Sequence, residues 1–242
     1  MRSCKLWSVF SNTLVLSSLV FAAHAMAVVN VDRTRIIFNA GESSQALNIK
    51  NGADTPSVVQ IWSDDGDLMQ SPELSTAPIF AMPPMMKLAP DEQRAIRLVL
   101  TSRQSLPEDR ESLYWLNIYQ ITALSRQTGS TEQKILLPLR LRLKVFIRPA
   151  ALGAPQPEDV QKLRFVVHER QLTLENPTAW YMSLRFQIAN KLKVDDVLVA
   201  PFTKQTLLSA HALLPSETVH YEVIDDRGNP VSFTTRAFEQ DH

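Results

Sequence analysis

Cysteine is all but missing from this chain: the single one, Cys4, lies among the first residues of 242. A disulfide framework is therefore excluded, and no thiolate is available to complete a zinc site. Glycine is scarce, with six residues, and there is no G-x-G-x-x-G, P-loop or G-x-S-x-G, so phosphate cradles and nucleophile elbows are not encoded. His24, His168, His211, His220 and His242 are scattered without an H-x-x-H or H-E-x-x-H pair, and read as surface or strand residues rather than ligands. Asp64-Asp65-Gly66-Asp67 looks like a fragment of a calcium loop, but the bidentate glutamate at the required offset is lacking. A solvated turn is the reading there. Charge of either sign is not in surplus, since 25 Lys and Arg balance 25 Asp and Glu, so nothing global points to nucleic acid or an anionic membrane. The expectation is a non-enzymatic protein with no cofactor, no metal and no nucleic-acid partner.

Long apolar runs are also missing, except near the start. Arg2 and Lys5 precede an apolar stretch from about Leu14 to Ala23, and Ala25-Met26-Ala27 offers a small-residue cleavage site. The run is interrupted by Ser8, Ser11, Asn12 and Thr13 and falls short of the ~20 residues a membrane span needs. A signal peptide over residues 1–27 is expected, cut after Ala27 with Ala25 as second choice, for export through the secretory route. No stable membrane insertion is expected of the remaining 215 or so residues, which suffice for one large or two small domains. Loss of Arg2 and Lys5 leaves that remainder with a charge of about −2.

What the chain does have is alternation. Val28–Phe38, Gln45–Lys50, Ser57–Trp62, Ala95–Leu100 and Tyr114–Ile121 read as strands, broken by Asn39-Ala40-Gly41, Asp64–Asp67 and Met82-Pro83-Pro84. The stretch from Pro149 to Pro157 is the clearest break in composition and suits a stiff linker. Beyond it Leu163–Val167, Leu172–Glu175, Trp180–Ala189, Val194–Leu198, Thr218–Ile224 and Val231–Thr235 again read as strands. Short strands at this spacing in both halves give an all-β protein of two β-sandwiches. The expected units are 28–149, a linker at 150–157, and 158–242.

One strand is too long. Lys134–Arg148 places Ile135, Leu137, Leu139, Leu141, Leu143, Val145 and Ile147 on one face. Its other face carries Lys134, Arg140, Arg142, Lys144 and Arg148, with Leu136, Pro138 and Phe146 between them. At about 3.3 Å per residue it would span nearly 50 Å, so part of its apolar face lacks a partner in its own domain. The polar Ser125–Glu132 stretch makes it a hairpin with Tyr114–Ile121. Pro138 has no N–H, and so either faces away from any added strand or marks a local kink.

Four motifs in order, V-D-R-T-R-I-I-F near the start, L-P-E-D-R-E-S-L-Y-W-L-N at Leu106–Asn117, L-R-L-K-V-F-I-R-P-A-A at Leu141–Ala151 and L-E-N-P-T-A-W-Y at Leu174–Tyr181, resemble the PapD-like periplasmic pilus chaperones. That resemblance implies two immunoglobulin-like sandwiches set in an L around a cleft. It implies binding of pilus subunits by loan of a strand, here carrying Ile135, Leu137, Leu139 and Leu141, and delivery to an outer-membrane usher. Arg35 and Lys144 would hold the subunit's C-terminal carboxylate. Glu111, Arg148 and Asp226, with Asp225 adjacent to the last, would form a buried charge network between the domains. The brief Ser125–Glu132 loop resembles the short-loop branch, which serves rod-forming pili. Self-association would hide the exposed apolar strand of the free protein. A pilus subunit or adhesin, which needs a missing strand and often a cysteine pair, fits less well. So does a periplasmic hydrolase or glycan-binding sandwich, because Trp62, Trp115 and Trp180 are spread along the chain and expected in cores or at edges.

Overall fold

The protein is described by a computed structural model that covers residues 29–122 and 138–239. The expected signal peptide, the Ser125–Glu132 loop, Ile135, Leu137 and His242 lie outside the described residues.

Val28–Phe38 is not one strand but two, on different sheets. Strand β1 (Val29–Val31) pairs antiparallel with β3 (Ser44–Asn51), whereas β2 (Arg35–Phe38) runs parallel to β9 (Leu139–Ile147). Asp32 makes the break. Its carboxylate accepts the Asn48 backbone N–H at 3.1 Å and the Asn48 amide at 2.7 Å, which ends the first ladder. The chain then crosses to the other sheet and brings Arg35 beside the long strand.

The remaining strands of the first sandwich are β4 (Ser57–Asp64), β5 (Ile79–Met82), β6 (Met85–Leu88), β7 (Gln93–Leu100) and β8 (Ser112–Thr122). Its two sheets have the orders β1-β3-β7-β5 and β2-β9-β8-β4-β6. Alternation decides which side chains meet between them: Ile36, Phe38, Val59, Ile61, Leu116 and Ile118 are fully buried there, while their sequence neighbours point outward. Strands β5 and β6 escape sequence reading because each has four residues and the prolines Pro83 and Pro84 separate them.

The second sandwich comprises β10 (Arg164–His168), β11 (Gln171–Asn176), β12 (Met182–Ile188), β13 (Leu192–Val199), β14 (Thr203–Leu208), β15 (Thr218–Ile224), β16 (Pro230–Arg236) and β17 (Phe238–Glu239). The orders are β14-β11-β10-β17 and β13-β12-β15-β16. Phe165 sits at its centre, with ring centroids 5.3 Å from Phe186 and 5.2 Å from Tyr221. Strand β14 reads T-K-Q-T-L-L and gives no apolar alternation; its pairing with β11 assigns it. The expected linker runs into one helical turn, Pro157–Val160, closed by reciprocal capping between Gln156 and Asp159.

The oversized strand is regular from Leu139 to Ile147, nine residues antiparallel to β8. Pro138 is exposed and stands just outside this ladder, so its missing N–H costs the ladder no bond. Asp64 corrects an expectation. It is fully buried rather than part of a solvated turn, because it ends β4 beneath two arginines of β9.

Candidate functional site at the domain junction

Strand β9 delivers Arg148 to the junction between the sandwiches. Its Nε donates to Glu111 Oε1 at 2.9 Å, and Nη1 and Nη2 each donate to the Asp226 carboxylate at 2.7 Å. The other Glu111 oxygen accepts the Tyr181 N–H at 3.0 Å, and the Glu111 N–H donates to Ala179 O at 2.9 Å. Asp225 is engaged differently, capping its own turn through the N–H groups of Arg227 and Asn229. Arg148 and Glu111 are each 2 % exposed. Burial pushes the Glu111 carboxyl above the usual range. Burial also opposes the Arg148 charge, but the hydrogen bond to Asp226 and the charge of Glu111 outweigh it and hold its pKa above the ordinary value.

Four residues back, within β9, Lys144 lies opposite Arg35 of β2 in register. Arg35 Nη1 donates to Ile224 O at 3.0 Å, so this side chain also spans the two domains. Its Nε is buried without a hydrogen-bond partner. Among the described residues no carboxylate comes within ion-pair distance of Arg35 or Lys144. Burial pushes both cations below their ordinary values, and the neighbouring Arg35 charge lowers Lys144 further against the opposing pull of Asp196. The two half-buried cations are adjacent and have no carboxylate in direct contact among the described residues, an arrangement suited to accepting an anion. Beside it a cleft of about 410 Å³ is lined by Arg35, Phe146, Trp180, Tyr181, Val223 and Phe233, among others.

Above this pair the strand has an open edge. Strand β2 covers only Lys144–Ile147 of β9. From Leu139 to Leu143, β9 has β8 on one side and no strand on the other among the described residues. Leu139 is 45 % exposed, Leu141 is half-buried and Leu143 is 4 % exposed. The odd face thus grades from solvent into the domain's own core.

The even face holds what sequence reading missed. Trp62 and Trp115, expected in cores or edges, share the outer face of the sheet under Arg140 and Arg142, at 5.0 and 4.7 Å from guanidinium carbon to ring centroid. The alternation of Ser57–Asp64 and Ser112–Thr122 put these side chains outward, but only the register brought them under β9. Among the described residues no group of three or more His, Cys, Asp or Glu is placed to hold a metal.

Family comparison agrees with this architecture on both sides of the junction. The family model described as pili and flagellar-assembly chaperone, PapD N-terminal domain, matches residues 28–153. That of the pili assembly chaperone PapD C-terminal domain matches 158–235. The chain belongs to the PapD-like pilus-assembly chaperones. Among PapD-like relatives, the chaperone protein MrkB of Klebsiella pneumoniae is 31 % identical over 216 residues, covering 88 % of this chain and 92 % of MrkB. FimC of Escherichia coli K12 is 29 % identical over 220 residues, covering 89 % and 86 %. Solved PapD-like structures superpose well. YadV matches with a TM-score of 0.71 at 27 % identity, over 86 % of this chain and 99 % of that one. A chain from the Salmonella enterica SafA pilin–SafB chaperone complex matches with 0.73 at 30 % identity, over 86 % and 95 %.

Proposed function

We propose that this pilus-assembly chaperone works in the periplasm by lending β9 to an incomplete pilus subunit, with Arg35 and Lys144 holding the subunit's terminal carboxylate, and passes the subunit to an outer-membrane usher. The observation that carries this reading is the coincidence of an open strand edge with an unpaired cation pair at its closed end. Backbone pairing along Leu139–Leu143 is tolerant of client sequence. Ile135, Leu137, Leu139 and Leu141 supply apolar knobs, each worth about 1.5–3 kcal/mol when fully buried. The carboxylate gains charge-assisted hydrogen bonds of roughly 1.5–3 kcal/mol each and pins one end of the incoming strand. Glu111, Arg148 and Asp226 serve as architecture, holding the domains at the angle that keeps Arg35 in the cleft. The relative solved with a pilin, SafB, supports the same partner class. Nothing in this account asks the protein for bond-making chemistry. The test is co-purification of co-produced pilus subunits with Arg35→Ala and Lys144→Ala variants whose circular dichroism matches wild type. Loss of the subunit is expected from both, and full retention by both overturns the carboxylate assignment.

A further inference from the structure

Strand donation raises a register problem. Ile135, Leu137, Leu139, Leu141 and Leu143 recur every two residues, so a client strand displaced by two residues would again meet an apolar knob at each pocket. The cations recur with the same step, since Arg140, Arg142 and Lys144 share the outer face of β9. A terminal carboxylate would then find three receptors about 6.6 Å apart. Displacement toward Ile147 is blocked because β2 already occupies that edge. Displacement toward Leu139 needs another barrier.

Asp64 supplies it. This fully buried carboxylate accepts Arg142 Nη2 at 2.5 Å and Arg140 Nη2 at 3.4 Å, together with the Asn117 amide at 2.6 Å and the Gly66 N–H at 2.8 Å. Arg140 also donates to Asn117 Oδ1 at 2.9 Å and Leu68 O at 2.6 Å. These partners belong to β4, β8 and the turn after β4, on the side of β9 away from its open edge. Both guanidiniums are drawn across the sheet and onto indole faces. Lys144 sits in the same cross-strand row as Asp64 and Trp115, yet makes no ion pair among the described residues. We propose that Asp64 is a register-determining residue: by engaging Arg140 and Arg142 it leaves Lys144, with Arg35, as the anion receptor of the donor strand. This inference rests on the strand-donation reading.

The test uses a synthetic peptide of alternating valine and threonine with a free C-terminal carboxylate and one cysteine, set to lie opposite position 141 when the carboxylate is at Lys144. Disulfide trapping is compared between Leu141→Cys and Leu139→Cys variants. With Asp64 intact, trapping should favour position 141, and Lys144→Ala should lose binding about tenfold or more, the worth of one charge-assisted hydrogen bond, with no gain at position 139. Adding Asp64→Asn to Lys144→Ala should restore binding through Arg142 and move trapping to position 139, a rescue that a merely structural Asp64 would not give. The proposal is overturned if the folded double variant binds no better than Lys144→Ala. Should Asp64→Asn unfold, the Lys144→Ala protein decides alone: acid-selective binding trapped at position 139 overturns the proposal, and loss of binding without that shift supports it. Equal binding of the acid and amide peptides to wild type would instead remove the carboxylate reading itself.

Discussion

Lys144 within β9 and Arg148 just past its end stand four residues apart, and their surroundings are opposite. Arg148 is buried with two carboxylates, one from each domain. Lys144 is half-buried beside Arg35, and among the described residues neither has a carboxylate partner. A buried cation with its charge matched belongs to the architecture, because removing one partner strands the other. A half-buried cation left unmatched costs the free fold something, which an incoming anion recovers. The same contrast runs along the apolar face: Leu143 and Val145 fill the core, while Leu139 is offered to solvent.

That comparison breaks most visibly at Arg148. Arg148→Ala leaves Glu111 buried without its cation, and urea denaturation should show a loss of about 3–5 kcal/mol. Lys144→Ala should do the reverse, leaving stability within about 0.5 kcal/mol while weakening subunit binding by roughly 1.5–3 kcal/mol in titration calorimetry. Equal destabilisation by the two substitutions would erase the distinction. Leu139→Ala should cost about 1–2 kcal/mol of binding and almost no stability, since the side chain is already 45 % exposed. The smallest effect is one of pH. Burial lowers the Lys144 pKa in the free protein, and a bound carboxylate raises it again, so the complex holds the lysine proton more tightly. Affinity should therefore be flat below the lowered pKa and fall as pH rises through it, beginning at a lower pH than an ordinary lysine would give. In the free fold the sign is opposite: the cost of burying the ammonium disappears as the lysine deprotonates. Lys144→Met should remove both dependences.

The sandwich architecture was legible because one buried face imposes a period of two, as in Ser57–Trp62 and Tyr114–Ile121. The motifs pointed to Arg35, Glu111, Lys144 and Arg148, and the resemblance added Asp226, but their distances come only from the fold. Asp64 was invisible for a physical reason. D-D-G-D carries turn chemistry, and nothing local tells that its first carboxylate lies under arginines 76 and 78 residues away. The split of Val28–Phe38 was hidden similarly, since Asp32 ends β1 through Asn48, a residue of another strand. Alternation persists across a sheet switch, so periodicity alone could not reveal it.

Amide hydrogen exchange along β9, measured free and with a bound pilus subunit, tests the central claim most directly. Val145–Ile147 already pair with β2, whereas the outward amides of Leu139–Leu143 have no strand beside them among the described residues. Strand loan predicts strong new protection at alternate amides of Leu139–Leu143 and little change at Val145–Ile147. Unchanged exchange at Leu139–Leu143 in a saturated complex would contradict it.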